Sequence, residues 1–324
     1  MMAESNQASS PLLIICGPTA TGKTQLAIAC AQRLQGEIVN ADALQVYKHM
    51  DIGTDKPGPD ERAAATFHLI DYVDPNENYS VARYQADALR AIAELHARER
   101  LPILCGGSGL YIRAAAYQLD LPIAPCDSDL RQALQREAAA HGSQYLHSRL
   151  AAIDPQAAAR IDPANLRRVI RALEVHALTG RPFSRYHQFS SLDQQRQPRY
   201  NLLAFGLTLD RQELYQRIER RIESMIARGL MQEVQALLDR GCHSGLTSMQ
   251  ALGYRHLSAC LSGCCEMAEA INLLKRDTRR FAKRQLTWFR ADKRMRWLDA
   301  SRPLEGLAEE IGEACRAQFG KTKV

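Results

Sequence analysis

Three features are missing from the 324-residue sequence. No apolar run approaches 18 residues, so no transmembrane helix is expected. The first ten residues, MMAESNQASS, are polar and lack the apolar core of a signal peptide, so we expect a cytoplasmic protein. The nine cysteines are odd in number and irregularly spaced, which argues against a disulfide scaffold.

One set of potential metal ligands is regularly spaced. His256, Cys260 and Cys264 recur every four residues, and on a helix they would share one face and could bind zinc. However, Gly263 weakens a helix there, and no fourth ligand has a typical spacing. Ordinary thiols are therefore the favoured interpretation.

Positive charge is concentrated near the C-terminal end. The formal net charge is only +6, but residues 275–296 contain ten Lys or Arg and two Asp. At helical spacing the basic residues lie near one side, and Leu274, Phe281, Gln285 and Trp288 lie near the other. A polyanionic partner is one interpretation of this helix, and a solvated charged face is the other.

The order of strand and helix patterns indicates the fold class. Residues 11–118 alternate short apolar strands, including PLLIIC, GEIVNAD, FHLIDYV and LPILCGG, with amphipathic helices. Residues 128 to about 180 are helical in pattern, and strands return in YNLLAFGLTL and MRWLDAS. We predict an α/β fold: a P-loop NTPase-like parallel sheet with helices on both faces (11–118 plus 199–310), interrupted by an all-helical insertion (119–198).

The segment GPTATGKT lies between the first strand and the first helix, which is the context of a phosphate loop. Its glycines let the backbone wrap an anion, and the helix N-terminus directs amides at that anion. A tight turn that binds nothing is the less favoured alternative. The predicted diphosphate ligands in the loop are Gly17, Pro18, Thr19, Ala20, Thr21, Gly22, Lys23 and Thr24, and the Thr24 hydroxyl is also the predicted magnesium ligand.

ATP is a weaker inference than phosphate. A phosphate-loop ATPase usually has a second acid after an apolar strand, but LPILCGGSG ends in glycine; HLID does end in Asp71. A phosphate loop cradles any diphosphate. If the diphosphate is a leaving group, the loop stabilises the charge that develops as the bond breaks.

Two further residues are expected at the same edge of the sheet. Asp42 directly follows the second strand, and ligands of open α/β sheets bind outside the carboxyl ends of the strands. Asp42 could accept a proton from a nucleophile or simply cap the next turn, and its position alone does not separate these roles. Ser108, in GGSGLY, offers a hydroxyl there or caps the following helix.

Six motifs in register carry a family resemblance. GPTATGKT, NADALQVYKHMDIGTDKP, GGSGLYIRA, RRVIRALEVHALTGRP, LGYRHL and TRRFAKRQLTWFR occur in the order found in one family. From about residue 12 to 300, the chain resembles the tRNA dimethylallyltransferases, or tRNA isopentenyltransferases, of the IPP transferase family. It departs from the family pattern at Ala43, where Ser is frequent, and at Ser108, where Thr is usual.

The resemblance implies a reaction and its participants. The dimethylallyl group of dimethylallyl diphosphate, the co-substrate, would move to N6 of the adenosine 3′ of the anticodon in tRNA. Diphosphate would leave with the help of Mg²⁺. Asp42 would be the general base, and Ser108 would supply a hydroxyl near the adenine amine or the diphosphate.

The resemblance also implies binding residues. Further diphosphate ligands would be Arg217, Arg279 and Lys283. Contacts with the tRNA anticodon stem-loop would come from Asp42, Ala43, Leu44, Gln45, Arg167, Arg168, Arg171, Gln250, Gly253, Tyr254, Arg255, Arg280, Arg284 and Gln285. For the insertion arginines, pairing with acids such as Glu174 is the alternative.

Two rival functions stay open at this point. A small-molecule kinase on the same phosphate-loop fold would bind ATP, and the insertion would supply its lid of arginines. A non-enzymatic RNA-binding protein would carry the loop as a relic. We expect a nucleotide-binding, cytoplasmic monomer without membrane contact.

Overall fold

A parallel sheet organises the larger part of the computed structural model, which describes residues 10–119, 121, 127–186 and 197–320. Its strands are β1 (Pro11–Cys16), β2 (Gly36–Asn40), β3 (Phe67–His68), β4 (Leu101–Gly106), β5 (Asn201–Thr208) and β6 (Arg296–Asp299). They pair in parallel in the order β3-β2-β4-β1-β5-β6. The predicted α/β class with a P-loop-type parallel sheet is confirmed.

The helices alternate with the strands and then form a separate group. In chain order they are α1 (Lys23–Arg33), α2 (Pro59–Ala64), α3 (Val81–Ala97), α4 (Gly109–Ala116), α5 (Ser128–His141), α6 (Ser143–Ile153), α7 (Pro155–Ala158), α8 (Leu166–Thr179), α9 (Phe183–Tyr186), α10 (Arg211–Ala227), α11 (Leu230–Asp239), α12 (Leu252–Leu261), α13 (Met267–Arg290) and α14 (Leu304–Phe319). None of the helices formed by the described residues combines the length and apolarity needed to cross a bilayer.

Both faces of the sheet are buried, as expected for parallel strands covered by helices. On one face Ile15 and Phe205 pack in a cluster with Leu26 of α1 and Ile311 of α14. Neighbouring strand residues that point to the other face, such as Ile14, are equally buried. The carboxyl ends of the central strands therefore project from a rigid base.

The third strand is shorter than the sequence pattern predicts. FHLIDYV forms a strand only at Phe67 and His68. Leu69 and Asp71 have φ values of 60° and 61°, which are incompatible with a continued strand. The Asp71 carboxylate instead accepts hydrogen bonds from Lys56 at 2.9 Å and Arg62 at 3.4 Å, so tertiary ion pairs replace strand pairing.

The described residues between 10 and 118 and between 197 and 320 form one compact unit, and those between 119 and 186 form the other. Both predicted boundary segments lie partly outside the described residues, so the predicted boundaries stay predictions. In the smaller unit, helices α5 to α9 enclose Leu146, Leu150, Val169 and Phe183. Every element that the structure assigns in this unit is a helix.

A buried carboxylate organises the smaller unit. Glu174 is 0% exposed and accepts hydrogen bonds from Arg131 at 2.8 and 2.9 Å, from Arg171 at 2.6 Å and from the amide of Asp127 at 2.9 Å. Burial alone would raise the pKa of Glu174, but these hydrogen bonds outweigh it and lower the pKa. The alternative of an acid-paired arginine therefore holds for Arg171.

We expect Glu174→Gln to destabilise the protein by about 3 kcal/mol, because removing one partner of a buried ion pair leaves the other charges uncompensated. The folded-state pKa is lowered, so this contribution is present above the unfolded pKa of about 4.3 and is lost as the pH falls through the folded value. Chemical denaturation at pH 7 measures the difference, and repeating it at pH values below about 4.3 follows its loss. Glu137→Gln, in the exposed pair with Arg149, is the control and should cost less than about 1 kcal/mol.

Candidate active site

The phosphate loop connects β1 to α1 at the carboxyl edge of the sheet. Gly17 has φ = 147°, and a Cβ there would lie 2.8 Å from the carbonyl oxygen of Leu207, so the loop starts at a position that favours glycine. The Thr21 hydroxyl donates to the Pro18 carbonyl at 2.9 Å. The loop is therefore held in shape by its own hydrogen bonds.

Lys23 lies at the first position of α1 and folds back over the loop. Its Nζ donates to the Pro18 carbonyl oxygen at 2.7 Å. Burial lowers the pKa of Lys23, and the positive charge of Arg221 lowers it further, whereas the Asp42 carboxylate opposes the shift. An anion in the loop would restore the charged form, because it would place opposite charge beside the ammonium group.

Asp42 is held in a defined turn after β2. Its Oδ1 accepts a hydrogen bond from the amide of Leu44 at 2.9 Å, while Asn40 bonds the Asp42 amide at 3.1 Å and its carbonyl at 3.2 Å. Oδ2 accepts no hydrogen bond within the part of the chain that the structure describes. The turn-capping role and an available carboxylate oxygen therefore coexist at Asp42.

Ser108 lies next to Asp42 across the edge of the sheet. Its Oγ accepts a hydrogen bond from the amide of Ala43 at 3.0 Å, and its own amide donates to the Ala41 carbonyl at 3.1 Å. Ser108 occupies the N-cap position of α4, but its hydroxyl makes no capping bond to that helix. Ser108 instead ties the segment before α4 to the turn of Asp42.

An arginine that the sequence interpretation did not single out reaches the phosphate loop. Arg221, on α10, donates from Nη1 to the hydroxyl of Thr19 and from Nε to Asp55 at 3.0 Å. Arg228 donates to the other oxygen of Asp55 at 3.1 Å. Asp55 therefore holds two arginines, one of which extends to the loop. The only sequence signal for Arg221 is its position one turn after Arg217.

The segment that follows Asp42 is fixed by buried polar groups. Lys56 is nearly inaccessible and donates to the Tyr47 carbonyl at 2.7 Å and to Asp51 and Asp71 at 2.5 and 2.9 Å. Gln45 donates to the carbonyl oxygens of Thr54 and Asp55 at 3.2 and 3.1 Å. Residues 42–57 therefore form an ordered wall beside the phosphate loop.

A carboxylate from α11 anchors the same segment. Glu233 accepts hydrogen bonds from the amides of Asp51, Ile52 and Gly53 at 2.7–3.0 Å and from the Tyr254 hydroxyl at 2.5 Å. A Cβ at Gly53 would lie 2.6 Å from the Tyr254 ring. These contacts join α11 and α12 to the wall of the cleft.

One cleft brings the central predicted residues together. Its lining contains two predicted catalytic or metal-binding side chains, Asp42 and Thr24, together with Lys23 and the added Arg221. The described residues that line it are Thr19, Ala20, Gly22, Lys23, Thr24, Gln25, Ile38, Asn40, Asp42, Gln45, Thr54, Asp55, Pro57, Phe67, Cys105, Gly106 and Arg221. The cleft combines an anion-binding loop, two cations and a carboxylate with an available oxygen.

The other predicted diphosphate cations lie elsewhere in this structure. Arg217 donates to Glu213 at 2.6 Å, and Arg279 donates to Glu219 at 2.5 Å. Lys283 is exposed on α13. Among the described residues that line the cleft, Arg221 is the one arginine. The roles of Arg217, Arg279 and Lys283 stay predictions, and the two arginines would have to leave their acid partners to fulfil them.

The predicted tRNA contacts divide by exposure. Gln250, Arg255, Arg280 and Arg284 are exposed, as are Arg167 and Arg168 in the smaller unit, whereas Ala43 and Leu44 are half-buried. Arg255 and Arg280 both approach Asp277, at 3.4 and 3.6 Å. Their contacts with tRNA stay predictions.

Three of the predicted contacts are buried. Tyr254 is 0% exposed with its hydroxyl on Glu233, Gly253 is buried beside it, and Gln285 is bonded to two backbone groups. A direct tRNA contact from these positions would require the segment to rearrange. The structure gives the side chains of Tyr254 and Gln285 internal partners, and their contacts with tRNA stay predictions. Phe281, expected on the apolar side of α13, is exposed.

The sequence offered two other candidates for a metal site: the His256, Cys260 and Cys264 set for zinc, and Asp71 for the second acid of an ATPase. His256 bonds the Leu252 carbonyl at 2.6 Å and Asp277 at 3.2 Å. Among the residues that the structure describes, no three His, Cys, Asp or Glu side chains come together in a way that suits a metal ion. Asp71, in its ion pairs with Lys56 and Arg62, does not line the cleft within the described residues.

Comparisons with known proteins agree with this geometry. The IPP transferase family matches residues 45–292. A tRNA dimethylallyltransferase of Pelotomaculum thermopropionicum is 47% identical over 309 residues, which cover 95% of this chain and 97% of that protein. A tRNA dimethylallyltransferase of Geobacillus thermodenitrificans is 46% identical over 313 residues, covering 97% and 98%.

Solved structures give the same result. The full-length tRNA isopentenylpyrophosphate transferase of Bacillus halodurans aligns with a TM-score of 0.71 and 42% identity, covering 97% of this chain and 98% of that one. A eukaryotic dimethylallyltransferase acting on tRNA aligns with a TM-score of 0.74 and 27% identity, covering 90% and 74%.

The fold and the cleft define an α/β phosphate-loop protein that carries a carboxylate beside its anion-binding loop. Nearly full-length relatives at 46–47% identity and a family match over residues 45–292 identify the family within this class of proteins. The chain belongs to the IPP transferase family.

Proposed function

We propose that this protein transfers the dimethylallyl group from dimethylallyl diphosphate to N6 of the adenosine 3′ of the anticodon in tRNA. The observation that carries the proposal is the cleft in which Asp42 lies with Lys23, Thr24 and Arg221. Relatives over the whole chain are tRNA dimethylallyltransferases, and one structural neighbour is a dimethylallyltransferase acting on tRNA.

The phosphate loop binds the leaving group. The first residues of α1, Lys23 and Thr24, line the cleft, and Arg221 reaches the loop from α10. As the C1–O bond of the donor breaks, the electron pair stays on the diphosphate oxygen. Fixed positive charge at that oxygen lowers the barrier, because it stabilises the charge that develops.

Asp42 accepts the proton that the adenine amine loses. The adenine N6 attacks C1 of the dimethylallyl group, and the new N–C bond would leave the nitrogen positively charged unless a proton departs. The available Oδ2 of Asp42 accepts that proton. The bond from the Leu44 amide to Oδ1 fixes the orientation of the carboxylate, so it does not have to be ordered during the reaction.

The donor set of the cleft fits Mg²⁺. The Thr24 hydroxyl and the Asp42 carboxylate are hard oxygen groups in the lining, and Mg²⁺ at phosphate sites takes one or two protein ligands, with water and substrate oxygens completing its shell. Thr24 would hold the ion, as the sequence predicts for this loop. When bound, the ion neutralises charge on the departing diphosphate.

The tRNA contacts extend beyond the cleft. Exposed basic residues on α12 and α13, among them Arg255, Arg280 and Arg284, offer charge to the RNA backbone, and so do Arg167 and Arg168 on α8. We propose that the anticodon stem-loop binds these surfaces while the target base leaves its stack to reach Asp42. A monomer in the cytoplasm is our proposal for the working state.

Incubation with labelled dimethylallyl diphosphate and an unmodified anticodon stem-loop tests the function. Nucleoside analysis should find one dimethylallyl group per stem-loop, on the adenosine 3′ of the anticodon. Calorimetry with ATP and with the prenyl donor addresses the rivals. Micromolar ATP affinity with no response to the donor would favour a kinase, and tRNA binding without transfer would favour a non-enzymatic RNA-binding protein.

Arg221→Ala is expected to weaken binding of inorganic diphosphate by about tenfold to a hundredfold, because hydrogen bonds to charged groups contribute about 1.5–3 kcal/mol. Isothermal titration calorimetry measures the change. Arg220→Ala is the matched control, since Arg220 lies beside it on α10 but bonds Gln216 at 3.3 Å. Equal diphosphate affinities of the Arg221 and Arg220 variants would show that Arg221 does not contribute to diphosphate binding. Arg217→Ala, measured alongside, tests the role that the family resemblance implies.

A further inference from the structure

A single glutamine of the basic helix α13 bridges two loops of the active site. Gln285 is 6% exposed, and both ends of its amide are bonded. Its Oε1 accepts a hydrogen bond from the amide of Thr19 at 3.0 Å, and its Nε2 donates to the carbonyl of Gly107 at 2.9 Å. Buried amides this well satisfied fix the geometry of the groups that they join.

The two loops serve different groups in the proposed reaction: one holds the leaving diphosphate, and the other contacts the turn of the general base. Thr19 lies in the phosphate loop, which holds the leaving group, and Gly107 immediately precedes Ser108, which bonds the turn of Asp42. The bridging bonds span 266 and 178 residues of sequence. Gln285 therefore links the diphosphate side to the general-base side through one side chain.

The sequence around Ser108 is adapted to this contact. A Cβ at Gly107 would lie 2.4 Å from Gln285 Nε2, and a Cβ at Gly109 would lie 2.1 Å from the Trp288 ring. Gln285 and Trp288 are one turn apart on α13, so the helix packs directly on the backbone at both sides of Ser108. A side chain at position 107 would therefore displace the Gln285 amide, and one at position 109 would displace the Trp288 ring.

We propose that Gln285 is a positioning residue of the transfer reaction, which holds the phosphate loop and the Ser108 segment at a fixed separation. The inference rests on the proposed function and deepens it. The role needs a side chain that accepts at one end and donates at the other. Glutamine does both, an ionised glutamate only accepts, and leucine does neither.

The isosteric change Gln285→Glu makes this requirement testable. The ionised carboxylate of this variant keeps the bond from Thr19 but cannot donate to Gly107, so we expect single-turnover transfer at pH 8 to fall at least tenfold. A protonated carboxyl donates again, and a buried carboxyl takes its proton at a higher pH than an exposed one. The ratio of variant to wild-type rate should therefore rise at least threefold between pH 8 and pH 5.5.

Three comparisons separate this response from other causes. The charged side chains of the cleft beside Thr19 are Lys23, Asp42, Asp55 and Arg221, and both proteins contain them, so the ratio of variant to wild-type rate reports the change at position 285. Gln285→Leu should lose activity with a ratio that does not change with pH. Thr287→Ala is the control on the same helix, because its hydroxyl bonds the Lys283 carbonyl of that helix, at 3.0 Å.

A ratio for Gln285→Glu that is flat or rises with pH would overturn the proposal, and so would wild-type activity in Gln285→Leu. Binding of inorganic diphosphate gives a second readout, which should weaken at least threefold in the leucine variant. Lower tRNA affinity with unchanged diphosphate affinity would mean that Gln285 is an RNA contact instead. If the wild-type protein transfers no prenyl group, the proposed function fails, whereas the diphosphate measurement still decides the role of Gln285.

Discussion

Asp42→Asn is expected to lower the rate constant of dimethylallyl transfer by about 10²–10⁴-fold, the usual contribution of a general base. Asparagine keeps an oxygen that can accept the hydrogen bond from the Leu44 amide, so the turn should survive. The variant loses only the ability to take a proton from the adenine amine. Single-turnover measurements with saturating tRNA and donor isolate this step from binding.

Binding should be retained in the Asp42 variant. We expect the affinities for tRNA and for diphosphate to change by less than about threefold, because the hydrogen bonds of the turn are conserved. Asp239→Asn is the control, since Asp239 is an exposed carboxylate on α11 that bonds Gln235 at 2.8 Å. Transfer by Asp42→Asn at a rate within threefold of the wild type would show that another group accepts the proton.

Lys23→Met is expected to slow transfer by about 10²–10³-fold, the effect of removing one preorganised group from a site of developing charge. The methionine side chain has a similar length but no charge. Binding of inorganic diphosphate should weaken as well, because the ammonium group interacts with the diphosphate before and after bond cleavage. Calorimetry and single-turnover kinetics measure the two effects separately.

The pH dependence of diphosphate binding tests the same lysine. Burial lowers the pKa of Lys23, so the side chain loses its charge at a pH where a free lysine is still protonated. Diphosphate affinity of the wild type should therefore fall as the pH rises toward 10, and the fall should be absent in Lys23→Met. Arg33→Met, at the other end of α1, is the matched control and should behave as the wild type. A Lys23→Met protein with wild-type affinity would contradict the role of Lys23.

The part of the site that the sequence predicts well is local in the chain. Eight consecutive residues define the phosphate loop, and the residue types of Gly17 and Lys23 follow from backbone geometry and charge. Asp42 is found because a carboxylate after a parallel strand must lie at the same edge of the sheet as that loop. These predictions need only the local strand–helix order.

The part that the sequence does not predict depends on distant partners. Arg217 and Arg221 are one turn apart on α10, and helical periodicity cannot tell which one reaches the loop. The structure separates them through their acids: Glu213 lies four residues before Arg217, whereas Asp55 lies 166 residues before Arg221. The residues near Arg221 in the sequence do not indicate that it pairs with Asp55.

The residues on α12 and α13, where the sequence predicts tRNA contacts, show the same limit. The family resemblance implies tRNA contacts at Tyr254 and Gln285, but both side chains are buried against loops far away in sequence. One signal was present for Gln285, which falls on the apolar side of the basic helix with Leu274 and Trp288. A polar residue on the packed side of a helix indicates an internal hydrogen-bonding partner.

The strand order has a consequence for the protein as it emerges from the ribosome. β1 lies between β4 and β5, and the Thr19–Gln285 bond spans 266 residues, so synthesis must pass through the whole insertion before the active site is complete. At translation rates of about 5–20 residues per second, Gln285 is synthesised on the order of tens of seconds after the phosphate loop. Nascent chains that stop before α13 should therefore lack a complete site, because the Thr19–Gln285 bond cannot form in them.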